Sequence, residues 1–445
     1  MDATQNKMEH MEIKQLVISM SLPIIISMVI QALYNIVDSI FVAKISSDAL
    51  TAVSLCYPVQ TIMVAIACGT AVGFNTLLAR YLGEKKFDYA NNTMMHGILL
   101  GFLNGIVFLV LGLLFSNVFL SWFTSDSNVV SLANTYIRIC TMFSFSIFVQ
   151  IIFERVMQAT GNAIYNMVMQ GAGAIINIIL DPILIFGWFG LPRMGVTGAA
   201  IATVIGQFSA ASLAFVLFKK YNTHLHISFK KFRVDFHVIF QLYSIAIPSS
   251  VMMCLPSVLV SLLNGILSSI SQSAVAFFGV YYKLQTFIYM PTSGIVQGMR
   301  PLMSYNYGAK LKERMHQILK VSGLVIAAIL GAGTLLFFIV PNVLLSLFNA
   351  SSGMLEIGET GLRILSLSFI VSSFGVLMSG VFEALGLGKY SLIVSLLRQL
   401  LITVPLAYIL LNIMGIEGIW LSFVIAEAIA SIVAYILYRK KFKTI

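Results

Sequence analysis

A chain of 445 residues that is 59% hydrophobic and only 10% charged has too little polar surface to cover a soluble globule, which excludes a water-soluble enzyme or scaffold. The net charge of +10 does not indicate nucleic acid, because lysine and arginine gather in alternate connections rather than on one soluble face. Spanning backbone must satisfy its own hydrogen bonds, and these apolar runs are continuous rather than alternating, so membrane-spanning helices are expected and a barrel is not.

Residues 1–15 are polar and lack a small-residue cleavage site after an apolar stretch, so the first span reads as a retained anchor. That span, near 16–43, contains Pro23, which removes a backbone hydrogen bond and makes bending cheap. It also carries Gln31, Tyr34, Asn35 and Asp38 at helical spacing, a polar stripe on an apolar helix that is expected to face a substrate cavity. Spans near 49–79, 93–119 and 129–157 follow, with Glu154 toward the end of the last. The fifth, near 163–187, sets Asn177 one turn before Asp181 and Pro182 directly after it, a second weakened helix. The sixth covers 195–218, and a polar stretch at 219–236 leads to six more near 238–267, 273–303, 317–343, 356–384, 390–412 and 416–438. The organisation expected is an amino-terminal lobe at 1–218, a cytoplasmic linker at 219–236 and a carboxy-terminal lobe at 237–445.

The second six spans repeat the first. Pro23, Gln60, Gly69, Gly73, Gly83, Gly161 and Tyr165 recur at an offset of 225 as Pro248, Gln285, Gly294, Gly298, Gly308, Gly386 and Tyr390. Chance apolar composition aligns leucine with isoleucine at any offset, but not four glycines, a proline and a glutamine. Six is an even number, so the halves enter the membrane in the same sense, as a parallel repeat about an axis along its normal. The clusters Arg80/Lys85/Lys86, Lys219/Lys220/Lys230/Lys231/Arg233, Lys310/Lys312/Arg314 and Arg439/Lys440/Lys441/Lys443 share one side, which places both termini in the cytoplasm. Paired bundles flanking a cleft are the architecture of alternating-access transport.

Enzyme chemistry finds no support. Gly386-Leu387-Gly388-Lys389 lacks the spacing of a phosphate loop, and no metal or Ser/His/Asp constellation is present, so no cofactor is expected beyond a coupling ion. Cys56, Cys68, Cys140 and Cys254 sit in apolar runs without metal-ligand spacing and read as packing residues. An ionised side chain at mid-bilayer costs roughly 2.5 to 3.5 kcal/mol, so deep acids are functional candidates. Asp38 and Asp181 both lie on outward-running spans, about 9 Å below the outer surface at 1.5 Å per residue, and so face one cleft. Their 225-shifted counterparts are Leu263 and Leu406, which lodges the coupling chemistry in one lobe. Amides beside the two carboxyls can hydrogen-bond either protonation state, as a proton carrier requires. Arg398 and Glu427 share mid-depth on adjacent spans and are expected to form a structural ion pair, which Lys283 either joins or leaves by snorkelling.

Several stretches resemble one family. Asn177-Ile178-Ile179-Leu180-Asp181-Pro182-Ile183-Leu184-Ile185-Phe186-Gly187 is similar to the fifth-helix signature of bacterial multidrug and toxic compound extrusion (MATE) transporters. Met194-Gly195-Val196-Thr197-Gly198-Ala199-Ala200 resembles its next helix, and Ser21-Leu22-Pro23 with Asp38 its first. Gly298-Met299-Arg300-Pro301 with Tyr305-Asn306-Tyr307-Gly308-Ala309 resembles the loop after the eighth, where the family usually has glutamine in place of Arg300. The resemblance implies a V-shaped, all-α antiporter of twelve helices in a bacterial cytoplasmic membrane. It implies export of organic cations or amphipathic drugs, by a monomer without nucleic-acid partners, in exchange for protons or sodium. The MepA-like and DinF-like branches look nearest, and in them the residues matching Asp38, Asn177 and Asp181 form the coupling site. A NorM-like sodium site is not expected, because the seventh span has no acid and the tenth only Glu383, although Asp38 and Asp181 leave room for sodium between them. The alternative within the fold is a lipid-linked precursor flippase, which calls for several mid-depth basic residues in both halves.

Overall fold

The computed structural model describes residues 3–221, 225–227, 232–348 and 350–442, and among them every regular element is helical. The amino-terminal bundle follows a short helix α1 (Ala3–His10) and contains α2 (Ile13–Ala43), α3 (Ser47–Gly83), α4 (Phe87–Ser121), α5 (Ser127–Met142), α6 (Phe145–Ala159), α7 (Ile164–Phe186) and α8 (Val196–Tyr221). The carboxy-terminal bundle contains α9 (Phe236–Ser268), α10 (Gln272–Gly308), α11 (Lys312–Ile339), α12 (Pro341–Ser346), α13 (Ser352–Ala384), α14 (Gly388–Leu396), α15 (Thr403–Met414) and α16 (Ile416–Phe442).

Ten spans, one of them α14 and α15 together, are long and apolar enough to cross a bilayer, and α5 with α6, bent by 45° at Phe143–Ser144, makes an eleventh. Helix α10 completes twelve: its 37 residues are ample in length, and its polar residues, among them Gln285, Gln297 and Arg300, dilute its apolar character. Two expected spans are therefore not single rods. The 129–157 stretch is the bent pair, and 390–412 is interrupted by a π-helical turn at Leu397–Leu401. Others run further than expected, because side-chain caps and not hydropathy set their ends. Ser46 accepts from the Ala49 amide at 3.0 Å and Ser271, its 225-shifted equivalent, from Ala274 at 3.1 Å. Asp126 and Ser351 cap α5 and α13 at equivalent positions.

The repeated glycines are where the bundles touch. A Cβ on Gly69 would strike Ser250, and one on Gly73 the Leu242 carbonyl, so α3 lies directly against α9. The equivalents Gly294 and Gly298 press on Ile25 and Ser21, bringing α10 onto α2. At the basic ends Gly83 abuts the Tyr305 carbonyl and Gly308 the Arg80 carbonyl, which is the same contact made twice. Helix α1 ties this end further: the Tyr305 hydroxyl donates to Glu9 at 3.0 Å, Lys85 approaches Glu9 at 3.8 Å, and Arg314 donates to the Met8 and Met11 carbonyls. The bundles are closed together on the side that carries Arg80, Lys85, Lys310 and Arg314.

Between the bundles, the 225–227 and 232–235 segments are non-helical and dock on α4, with the His226 amide donating to Asn91 and the Asp235 amide to His96. Lys230 and Lys231 of the expected linker, and Lys443, lie outside the described residues. All four cysteines are free; Cys56 and Cys140 are packed in the core, as expected.

Candidate functional site

A cavity of about 210 Å³ opens within the amino-terminal bundle, lined by Gln31, Tyr34, Gln150, Glu154, Asn177 and Gln207 among others. A second, of about 350 Å³, lies against the carboxy-terminal bundle and is walled by Arg300, Glu383, Arg398 and Gln399. The two share Met28, Cys68, Arg155, Met253 and Gln297, so they are chambers of one interbundle space of the size that holds a small molecule.

One helical turn beyond Tyr34 and Asn177, which line the first chamber, the packing of α2 on α7 brings Asp38 to Asp181. The carboxyls lie near enough to share a proton. Asp181 is fully buried, and neither of its oxygens nor Asp38 Oδ1 receives a hydrogen bond from a protein donor. A single proton between them satisfies atoms that otherwise have nothing to bond. Asn177, one turn below Asp181, donates to Thr203 at 3.5 Å and keeps its own buried oxygen unpartnered. The site therefore offers acceptors without donors, fit for a proton or a small cation.

Gln31 and Tyr34 line the chamber, and Asn35 does not. At about 100° per residue, Gln31, Tyr34 and Asp38 fall within an arc of about 60°, and Asn35 lies roughly 100° round from Tyr34, beyond its edge. Its side chain is exposed. Pro23 sits inside α2 with its carbonyl accepting from Ser27 at 2.8 Å, and Ser27 in turn accepts from Asn166 of α7 at 3.4 Å. Pro182 is buried inside α7 beside Asp181.

Sequence reading missed three residues. Glu154, placed from linear position toward a span end, faces the chamber, where Gln150 donates to one oxygen at 2.9 Å and Gln170 to the other at 3.3 Å. Its neighbour Arg155 is buried on the wall that both chambers share. Arg300, the departure from the family's usual glutamine, pairs with Glu383 at 2.6 Å, and Ser249 donates to the same carboxylate. The available signal was the run of Gln150, Glu154, Arg155 and Gln158, polar groups recurring at helical spacing in an otherwise apolar span.

Arg398 and Glu427 do meet: Arg398 Nε is 3.0 Å from both carboxylate oxygens and Nη2 is 2.8 Å from one. Arg398 sits in the π-helical turn, where the Thr403 hydroxyl takes its carbonyl at 2.6 Å. Lys283 is exposed and stands apart from that pair. Glu427→Gln would leave a buried guanidinium without its counter-charge, and a stability loss of about 3–5 kcal/mol is expected in thermal unfolding of the detergent-solubilised protein. A loss below 1 kcal/mol would remove the structural role.

The MatE family model matches this chain twice, over residues 23–183 and 248–409, one match in each bundle. Multidrug export protein MepA of Staphylococcus aureus strain MSSA476 is 26% identical over 418 residues, covering 94% of this chain and 91% of the relative. MepA of Staphylococcus haemolyticus is 25% identical over 432 residues, 97% of this chain and 94% of that one. Among solved structures, an outward-facing multidrug resistance MATE family transporter of the MOP superfamily superposes with a TM-score of 0.89 at 25% identity, covering 98% of each chain. A MATE in complex with MaL6 gives 0.90 at 25% identity, over 100% of this chain and 99% of the other.

Proposed function

Since this chain belongs to the MatE family of multidrug export transporters and crosses its membrane many times, we propose that it is a secondary antiporter of a bacterial cytoplasmic membrane, with both termini in the cytoplasm, exchanging protons for hydrophobic or cationic compounds. The observation that carries this reading is the Asp38–Asp181 pair, in which both Asp181 oxygens and Asp38 Oδ1 are buried without donors, one turn from Tyr34 and Asn177 of the amide-lined chamber. Protonation supplies the missing donor and redistributes the hydrogen bonds around Asn177 and Tyr34. Pro23 and Pro182 let α2 and α7 bend in response, changing the shape of the chamber and expelling its occupant. The closed basic ends correspond to the state that opens away from the cytoplasm.

Efflux of a fluorescent organic cation from proteoliposomes, with pH and sodium gradients imposed separately, tests the reading. A pH gradient alone is expected to drive transport. A response to sodium alone would instead assign the pair to sodium, and no response to either would end the antiport reading. The lipid-linked precursor reading draws support from one observation, three arginines (Arg155, Arg300 and Arg398) lining the interbundle space, one of them from the amino-terminal half.

A further inference from the structure

We propose that Arg155 and Arg300 form an oxyanion subsite on the wall between the two chambers, which takes the carboxylate of an amphipathic substrate. The inference rests on the transport reading and narrows its substrate class from cations to compounds that also carry an acid.

The two guanidiniums come from opposite bundles. Arg155 on α6 donates from Nη2 to Gln297 of α10 at 3.2 Å, and Arg300 stands three residues beyond Gln297 on the same helix, so both cations face one stretch of wall. Their neutralisation is unequal. Arg300 has Glu383 at 2.6 Å, whereas the guanidinium of Arg155 hydrogen-bonds to neutral amides, Gln158 at 2.6 Å through Nη1 and Gln297 through Nη2. Among the described residues no carboxylate forms an ion pair with Arg155; the adjacent Glu154 is turned toward Gln150 and Gln170.

Arg155 is more than nine-tenths buried, and a guanidinium stays charged in proteins. Its Nε and the Nε of Arg300 are both buried N–H donors without an acceptor, beside the Cys68 thiol on the shared wall. A buried cation with no carboxylate hydrogen-bonded to it and two orphaned donors in one cavity wall are the complement of a planar oxyanion, which guanidinium binds through parallel N–H bonds. Glu154, its carboxylate held by Gln150 and Gln170, lines the first chamber and not the second, so a molecule with a cationic end and an acidic end finds opposite charge at both.

The test compares two xanthene dyes that are identical except that one bears a free carboxylate and the other its methyl ester. Equilibrium binding is measured by fluorescence polarisation on the full-length protein in neutral-lipid nanodiscs, and efflux of both dyes is followed in proteoliposomes. The acid is expected to bind at least tenfold more tightly than the ester. Arg155→Gln is expected to collapse that ratio to near one, and Arg155→Lys to restore part of it. An ester bound as tightly as the acid, or a ratio unmoved by Arg155→Gln, would overturn the proposal. So would competition by a long-chain polyprenyl phosphate that Arg155→Gln abolishes while the dyes bind alike, because the oxyanion would then belong to a lipid. Binding preference without efflux of either dye would preserve the subsite and count against the transport reading, which keeps the two failures apart.

Discussion

Asp38→Asn is expected to abolish concentrative efflux while leaving the fold and drug binding in place. One proton per substrate converts each unit of pH difference into about 1.36 kcal/mol, so two units sustain roughly a hundredfold substrate gradient. With an amide at position 38 the α2–α7 contact no longer takes up and releases the coupling proton, and the gradient should fall to about one. Asp181→Asn is expected to do the same, because the two carboxyls lie together and, in the proposed mechanism, share one proton. The measurement is dye accumulation in proteoliposomes across an imposed pH step, with polarisation binding as the check on folding. A variant at position 38 that still sustains the gradient would remove the carboxyl pair from the mechanism.

The second large effect is expected at the glycines of the interbundle seam. In Gly83→Ala the new methyl would overlap the Tyr305 carbonyl, and in Gly308→Ala the Arg80 carbonyl, both backbone atoms that cannot swing aside. Overpacking of this kind costs typically about 1–3 kcal/mol per site, a shift of roughly 5- to 150-fold against the closed arrangement. Spin labels at positions 85 and 310, both exposed at the basic ends, should report a longer distance in the variants, and transport should fall with it. Gly265→Ala and Gly279→Ala supply the comparison, since a methyl there meets nothing within 4 Å. Equal distances in all four variants would mean that the seam does not control closure.

Much of this architecture is written in residue types that admit few alternatives. The 225-residue repeat was legible because its markers, Gly69/Gly294, Gly73/Gly298 and Gly83/Gly308, are positions where two helices approach so closely that an added Cβ would lie within 3.0 Å of the neighbour's atoms. Asp38 and Asp181 stood out because charge is rare in apolar helices, and a common depth was enough to put them together. What escaped is what depends on rotation and on bends. Asn35 shares the helical period of the stripe but lies past the arc that faces the chamber. Glu154 and Arg155 follow a 45° break at Phe143–Ser144 that no proline or glycine announces, so their depth could not be counted along a straight span. The Arg300–Glu383 pair joins two helices whose separation in sequence says nothing about their approach.

The seam has a consequence for how such a chain arose. Each bundle presents both a glycine ridge and the ledge that receives one: α3 rests on α9 as α10 rests on α2. A surface that is its own complement across a twofold axis is the geometry of an isologous dimer, in which two identical subunits close with no covalent link. Gene fusion of such subunits leaves that closure unchanged and frees the copies to differ, one keeping its acids while the other carries Leu263 and Leu406 at the equivalent positions.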